Sequence, residues 1–152
     1  MGGTTCCDDE DRPRASLLAS PNMDRQHHHG ISPYEKAYGF SRAIRVGNAI
    51  SVAGTAPVPE AGRPQIAGAY EQMHRCVEIA TEAIEGLGGS IDEVVRTRMF
   101  IVDPDDADAV GRAHAEAFGA ASPAATMVVV AGLLDPAWRI ELEVDVVVGA
   151  GH

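Results

Sequence analysis

Apolar residues recur along this chain with two different periods, and the two periods predict its secondary structure. Alternation of apolar and polar positions predicts five strands, over residues 40–46, 49–54, 94–102, 125–131 and 139–148. Apolar positions three and four residues apart predict a long helix over 69–87 and a second helix between Asp103-Pro104 and Gly119. The predicted order is ββαβαββ, which indicates an α+β domain with both helices on one face of a mixed sheet.

Two of these strands predict a sheet with one apolar and one charged face. The final strand places four apolar side chains on one face: Ile140, Leu142, Val144 and Val146. Its acidic side chains point the other way: Glu141, Glu143 and Asp145. On the strand over 94–102, Arg96, Arg98 and Phe100 are predicted to oppose Val95, Thr97, Met99 and Ile101. Acids beside arginines predict cross-strand ion pairs on a face that meets a neighbouring subunit, the alternative being a charged face in water.

The first thirty residues show no apolar periodicity and differ in composition from the rest. They contain the acidic run 8–11, two adjacent cysteines at Cys6-Cys7 and three histidines at His27-His28-His29. This composition predicts a disordered leader over 1–30 and one folded domain over 31–152. No stretch resembles a signal peptide or a membrane span, so we expect a cytoplasmic protein.

Charge and motif content argue against several classes of function. The formal net charge is −10, and residues 31–152 carry 17 acidic against nine basic side chains. Because phosphate binding needs a basic surface, we expect no nucleic-acid partner. The chain has no phosphate loop, no CxxC motif and no nucleophile elbow, and its histidine triplet lacks the spacing of a structural metal site. Cys76 falls on the apolar stripe of the long helix, where a core residue is favoured over a reactive thiol.

Several short segments, in their order and spacing, resemble the RidA/YjgF (endoribonuclease L-PSP) family over residues 31–149. They are Ser32-Pro33-Tyr34, 47–54 (GNAISVAG), 98–103 (RMFIVD), 123–126 (PAAT) and 140–144 (IELEV). The resemblance implies a chorismate-mutase-like fold, related to the ferredoxin-like fold, that forms a homotrimer around a central barrel with ligand clefts between subunits. Members of the RidA type hydrolyse reactive imines and enamines, such as 2-aminoacrylate, to a 2-keto acid and ammonia without metal or organic cofactor.

The chain departs from the family at the position that binds the substrate carboxylate. In the family an arginine follows a Pro-Ala pair at the start of a strand, and here that position is Ala125. A bidentate arginine contributes roughly 1.5–3 kcal/mol or more to the binding of a carboxylate. The resemblance therefore implies a branch of the family without that arginine, in which 2-aminoacrylate deaminase activity is not expected.

The resemblance also assigns candidate site residues. Glu143 lies where the family has its water-orienting carboxylate and is the candidate general acid/base, the alternative being an interface carboxylate paired with an arginine. Arg98 could replace the missing anion clamp or form an ion pair inside the barrel. An anionic substrate requires Arg98 or Arg112 beside Ala125, whereas an apolar cleft there favours a neutral or aromatic ligand.

Four further residues are site candidates, and a structural role is the alternative for each. The hydroxyl and backbone N–H of Thr55 could contact a ligand, or Thr55 is a turn residue. Tyr34 is expected to line the cleft mouth or to pack over the hairpin. Arg42 is expected to be a surface charge, and His114 a packing or surface residue of the second helix.

Three functions follow as hypotheses. The first is a trimeric hydrolase, a deaminase of a small imine or enamine, that uses Glu143 and water. The second is a non-catalytic trimer that binds a small molecule as a metabolite sensor or scaffold. The third, ribonuclease or translation-inhibition activity, is disfavoured by the acidic charge of the domain.

Overall fold

The computed structural model describes residues 24–32 and 34–150 and contains a six-stranded mixed sheet with two long helices on one face. The strands are β1 Arg25–His28, β2 Ala43–Val46, β3 Ala49–Thr55, β4 Val94–Ile101, β5 Ala124–Val129 and β6 Ile140–Val147. The helices are α1 Tyr34–Tyr38, α2 Ala69–Gly86 and α3 Ala107–Phe118, with short 3₁₀ turns at Ile91–Glu93 and Pro104–Asp106. The predicted α+β class and both long helices are confirmed.

The strand order across the sheet is β1-β2-β3-β6-β4-β5. All neighbours are antiparallel except β4 and β5, which run parallel because α3 connects them as a crossover. The last strand, β6, therefore lies in the middle of the sheet, between β3 and β4. Its position brings three distant parts of the chain into one register, since Leu142 lies opposite both Thr55 and Met99.

The core lies between the sheet and the two long helices. It combines the apolar stripes of both helices with alternate strand positions, among them Met73, Cys76, Ile84, Val110, Phe118, Ile50, Val52, Met99, Leu142 and Val144. Burying each large apolar side chain contributes about 1.5–3 kcal/mol before entropy is counted. Helix α2 ends where Gly88 takes a positive φ of 75°, a conformation that glycine adopts at little cost.

The predicted disordered leader over 1–30 is wrong for its last part. Residues 25–28 form β1, an edge strand in which Arg25 lies opposite Val46 and His28 opposite Ala43. The segment lacks apolar alternation because its side chains are largely exposed, and main-chain hydrogen bonds to β2 hold it in place. The ring of His28 also packs over Gly86, where any added Cβ would collide with it. Residues 1–23 lie outside the described residues.

A β-bulge changes the predicted faces of β4 at one residue. The register with β6 shifts between Val94 and Arg96, so Val95 is exposed instead of facing the core. The inward positions beyond the bulge agree with the prediction: Thr97, Met99 and Ile101. The regular alternation after the bulge places Arg98 on the face opposite the helices.

That face, called the open face below, carries the predicted cross-strand ion pairs. Arg98 lies opposite Glu143 in the register of β4 and β6, and its Nη1 donates to Glu143 Oε2 at 3.3 Å and to Asp145 Oδ2 at 3.4 Å. The predicted pairing of acids with arginines is confirmed. In the single chain these side chains stay between a third and two fifths exposed, so water weakens the pairs unless another surface covers them.

Candidate functional site

A half-buried carboxylate, that of Glu141, lies where β6 meets the end of β3. Glu141 alternates with the buried Ile140 and Leu142, so its side chain projects from the open face. Its carboxylate lies directly over Gly54, and a Cβ at residue 54 would collide with Glu141 Oε1. The lack of a side chain at residue 54 is therefore what leaves room for this carboxylate.

The surroundings of Glu141 favour its protonated form. Burial raises the pKa of Glu141 above its ordinary value, the charge of Arg42 opposes this rise, and Glu143 on the same strand adds to it. A carboxyl group with a raised pKa keeps its proton closer to neutral pH than an exposed glutamate does. This property suits general acid/base chemistry.

Arg42, just before β2, supplies the positive charge near Glu141 and is itself buried, with a relative exposure of 9%. Its Nη1 donates to Gly54 O at 2.7 Å and to Thr55 Oγ1 at 2.9 Å. Burial lowers the pKa of Arg42, and the nearby carboxylates Glu35 and Glu141 oppose that change. The prediction that Arg42 is a surface charge is wrong, because its guanidinium is built into the end of β3.

The buried carboxylate of Glu35, in α1, lies on the other side of Arg42. Glu35 Oε1 is 4.0 Å from Arg42 Nε, and both carboxylate oxygens accept hydrogen bonds from the backbone N–H of Gly30, at 3.0 and 3.1 Å. His29 Nδ1 lies 3.4 Å from Glu35 Oε2. The sequence pattern did not single out Glu35, because its spacing does not distinguish it from an exposed helix carboxylate.

Two of the predicted site residues, Glu143 and Arg98, pair with each other on the open face, which is the ion-pair alternative for both. Glu141 differs from Glu143 because it lies over Gly54, has a raised pKa and forms no ion pair with any residue that the structure describes. Sequence reasoning missed Glu141 because alternation places both glutamates on one face and does not separate them.

Ala125 lies on the face of the sheet opposite Glu141. It is the register partner of Thr97 in the parallel pairing of β4 and β5, and Thr97 faces the helices. Thr97 Oγ1 is 2.8 Å from Nε2 of His114 in α3, and burial lowers the pKa of that imidazole. Beside Ala125 the structure therefore places a hydroxyl and an imidazole that is mostly uncharged at neutral pH.

Neither of the candidate arginines lies beside Ala125. Arg98 projects from the open face, and Arg112 in α3 places its Cζ 5.5 Å from the ring centre of Tyr70, in the helical layer. Thr55 lies near Glu141, whereas Ala125 is two strands from β6 and faces the other way. A single chain thus divides the predicted site residues between two surfaces.

Thr55 and Tyr34 differ in their accessibility to a ligand. Thr55 is fully buried, and its hydroxyl donates to Ala53 O at 2.8 Å while it accepts from Arg42. Its hydroxyl thus stabilises the bulged end of β3 and does not face a cleft. Tyr34 is 51% exposed and stacks on Tyr38 with ring centres 5.4 Å apart, so it is open to a ligand or a neighbouring subunit.

The described part of the chain carries no evident metal centre or membrane helix. Within residues 24–32 and 34–150, no three His, Cys, Asp or Glu side chains are grouped so that they could hold a metal ion. None of the helices in these ranges has the length and apolar character needed to cross a membrane. Cys76 is fully buried, and burial raises the pKa of its thiol, as expected for a core residue.

Comparison with known proteins identifies the family to which this α+β unit belongs. The family model described as endoribonuclease L-PSP matches residues 31–148, and the chain belongs to this family, which is also called RidA/YjgF. The family resemblance stated from the sequence segments is confirmed.

Individual relatives and solved structures agree with this membership. An uncharacterized protein of Streptomyces coelicolor, SCO2049, is 38% identical over 119 residues, which make up 78% of this chain and 89% of the relative. A RutC family protein of Pyrococcus abyssi is 35% identical over 95 residues, 62% of this chain and 75% of the relative. The crystal structure of Rv2704 from Mycobacterium tuberculosis, a YjgF/YER057c/UK114 family member, has a TM-score of 0.75 and 32% identity. The match covers 82% of this chain and 100% of the Rv2704 chain, so the similarity extends over the whole α+β unit.

Proposed function

We propose that this protein hydrolyses a small reactive imine or enamine, with Glu141 as general acid/base, in clefts between the subunits of a homotrimer. The observation that supports this most directly is the half-buried carboxyl group of Glu141, with its raised pKa and its position over Gly54. Membership of the RidA/YjgF family supports a role in handling small molecules.

The reaction needs a group that both donates and accepts a proton. Protonated Glu141 donates its proton to the imine nitrogen while water adds to the imine carbon, and the resulting carboxylate takes a proton from the added water. The neutral carbinolamine then loses ammonia: Glu141 donates its proton to nitrogen as the C–N bond breaks, and the hydroxyl group returns a proton to the Glu141 carboxylate as the carbonyl forms. An enamine enters the same sequence once it has been protonated at carbon to give the imine.

We infer that the part of the substrate that meets Ala125 is uncharged. A carboxylate there would lack the charge-assisted pair that an arginine provides, worth roughly 1.5–3 kcal/mol, which corresponds to about tenfold to hundredfold weaker binding. Arg98 and Arg112 both lie elsewhere. The partly exposed imidazole of His114, which contacts the buried hydroxyl of Thr97, is suited to a neutral polar group.

Assembly into a trimer would complete the proposed clefts. Val128, on the open face of the edge strand β5, is 42% exposed, and the ion pairs of the open face are also partly exposed. Sheets of three copies packed around a common axis would cover both features. The same packing would bring Ala125 of one chain close to Glu141 of its neighbour.

A non-catalytic trimer that binds a small molecule, as a metabolite sensor or scaffold, is the second candidate. It is favoured by the loss of the arginine at Ala125 and by the hydrogen bonds that occupy Arg42 and Thr55. Such a protein would be stabilised by its ligand and would show no turnover.

Glu141→Gln and Glu143→Gln form a matched pair of variants that tests the proposed reaction. Ammonia release is measured with imines made in situ, neutral ones from primary amines by a flavin amine oxidase and anionic ones from amino acids by an amino-acid oxidase. Glu141→Gln should lower the rate about 100-fold or more, and Glu143→Gln only a few-fold. The neutral imines should react faster than the anionic ones.

Two results would reject this proposal. A loss confined to Glu143→Gln, or equal in both variants, would remove Glu141 as the acid/base. A ligand-induced rise in Tm without turnover of either class of imine would favour the binding trimer.

A further inference from the structure

Two charged side chains that the proposed reaction does not use, Glu35 and Arg42, are almost completely buried, with relative exposures of 5% and 9%. Glutamate and arginine are seldom buried unless they are paired, because a charge removed from water must be compensated by nearby groups. Glu35 belongs to a helix of five residues, so its burial does not follow from a long apolar stripe. Their burial therefore points to a specific role for the pair.

The pair connects the N-terminal segment to the end of β3. Glu35 accepts hydrogen bonds from Gly30 N–H through both oxygens and faces the guanidinium of Arg42 at 4.0 Å. Arg42 in turn donates to Gly54 O at 2.7 Å and to Thr55 Oγ1 at 2.9 Å. These contacts run without a break from Gly30 to Gly54, and the carboxylate of Glu141 lies over Gly54.

The same contacts set part of the charge around Glu141. Burial raises the pKa of Glu141 and Arg42 opposes that rise, while Glu35 offsets part of the charge of Arg42. Arg42 therefore acts on Glu141 directly, and Glu35 acts on it through the charge of Arg42, in the opposite direction. Among residues 24–32 and 34–150, the other titratable groups that face these three residues are Glu143 from β6, Cys76 from α2 and His29 from the segment before α1.

We propose that Glu35 and Arg42 are positioning residues for the Glu141 site: Glu35 offsets part of the charge of the Arg42 guanidinium, and Arg42 holds the end of β3 beneath the carboxylate of Glu141. The catalytic meaning of this arrangement rests on the proposed function, which takes Glu141 as the acid/base. The alternative is a pair that only attaches the N-terminal segment to the sheet, and such a pair would leave the titration of Glu141 unchanged.

A substrate-free titration of Glu141 separates these two roles. The probe is the ¹³C chemical shift of its side-chain carboxyl in glutamate-labelled protein, assigned as the resonance that Glu141→Gln lacks. Arg42→Gln should move the titration midpoint to higher pH and Glu35→Gln to lower pH, each by roughly half a pH unit or more. Arg42→Lys keeps the positive charge but loses the planar guanidinium. Its Glu141 midpoint should therefore lie between those of the native protein and Arg42→Gln.

Two matched variants control for the general effect of removing a charge. Arg45→Gln removes an arginine whose Nη1 also donates to a backbone carbonyl, that of Leu87, and Glu93→Gln removes a carboxylate that accepts from Ser90 N–H. Neither should move the midpoint of Glu141. Shifts of Arg42→Gln and Glu35→Gln in the same direction, or no larger than those of the controls, overturn the proposal. Should Glu35→Gln fail to fold, Arg42→Gln and Arg42→Lys decide it by themselves.

The titration also keeps this inference separate from the proposed reaction. Opposite shifts without imine hydrolysis would remove the proposed function and leave the positioning role intact. Hydrolysis without the shifts would keep the function and remove the positioning role.

Discussion

Glu141 and Glu143 are chemically identical side chains on one face of one strand, yet their neighbours differ. Glu143 shares the positive charge of Arg98 with Asp145, and water still reaches the group. Glu141 lies over Gly54, where burial raises its pKa. At the scale of a residue, the surroundings decide which of two equivalent carboxylates is suited to exchange protons.

The raised pKa of Glu141 should also appear in the stability of the protein. The folded state binds this proton more tightly than the unfolded state, so the stabilisation is fully present below the ordinary pKa of 4.5 and is lost as the pH rises through the folded-state value. We therefore expect Glu141→Gln to reduce the fall in stability above pH 4.5 and to be more stable than the native chain at neutral pH. Urea denaturation at a series of pH values measures this, and an unchanged pH dependence would contradict it.

At the scale of an element, α2 is tied to two loops by one buried amide, that of Gln72. Its Nε2 donates to Ile66 O at 2.7 Å and to Ala137 O at 2.9 Å, and its Oε1 accepts from Arg139 N at 2.7 Å. The bonds join the start of α2 to the loop that precedes it and to the loop that leads into β6. One amide thus satisfies three backbone groups that the two loops bring close to the core.

Gln72→Met should destabilise the fold although it keeps the size of the side chain. The two carbonyls and one N–H left without a partner should cost about 2–4 kcal/mol in total, because part of each group's desolvation is no longer compensated. Equilibrium urea denaturation gives the free energy of unfolding. Glu82→Met, at an exposed position of the same helix, is the control and should change it by less than about 0.5 kcal/mol. Equal effects of the two variants would show that the hydrogen bonds of the Gln72 amide contribute little to the free energy of unfolding.

Element prediction from sequence succeeded where the apolar period is regular and failed where it is absent. Helix α2 and the alternation of β6 were predictable because each buries one complete face. Strand β1 was not, since its stability comes from main-chain pairing at a sheet edge and from the ring of His28 over Gly86. The predicted face of Val95 was wrong because a β-bulge inserts one residue into the alternation, and no local sequence pattern indicates the bulge.

At the scale of the whole molecule, the open face and the edge strand β5 decide whether a cleft exists. Val128 lies opposite Phe100 in register and shares the open face with Arg98. Because one chain places Glu141 and Ala125 on opposite faces of the sheet, a site that uses both needs a second copy. The proposed function therefore depends on assembly.

The molar mass of the protein in solution tests whether it forms the proposed trimer. We expect sedimentation equilibrium to give three times the chain mass of 16.0 kDa for the native protein. Val128→Glu should shift it toward monomer, because a charge would be buried between sheets. Ala115→Glu, at an exposed position of α3, should leave the trimer intact. A native chain that remains monomeric at micromolar concentration would remove the trimer and the clefts proposed from it.

The sequence by itself determined the α+β class, the two long helices, the inward positions of the central strands and, through short segments in a fixed order, the family. These features depend on local period and spacing, which a linear chain displays directly. The tertiary structure alone decided that Glu141 is the half-buried carboxylate, that Arg42 is buried, and that Glu35 lies behind it. The reason is physical: burial and charge pairing are sums over neighbours from distant segments, and β6 meets β3 only after the sheet has formed.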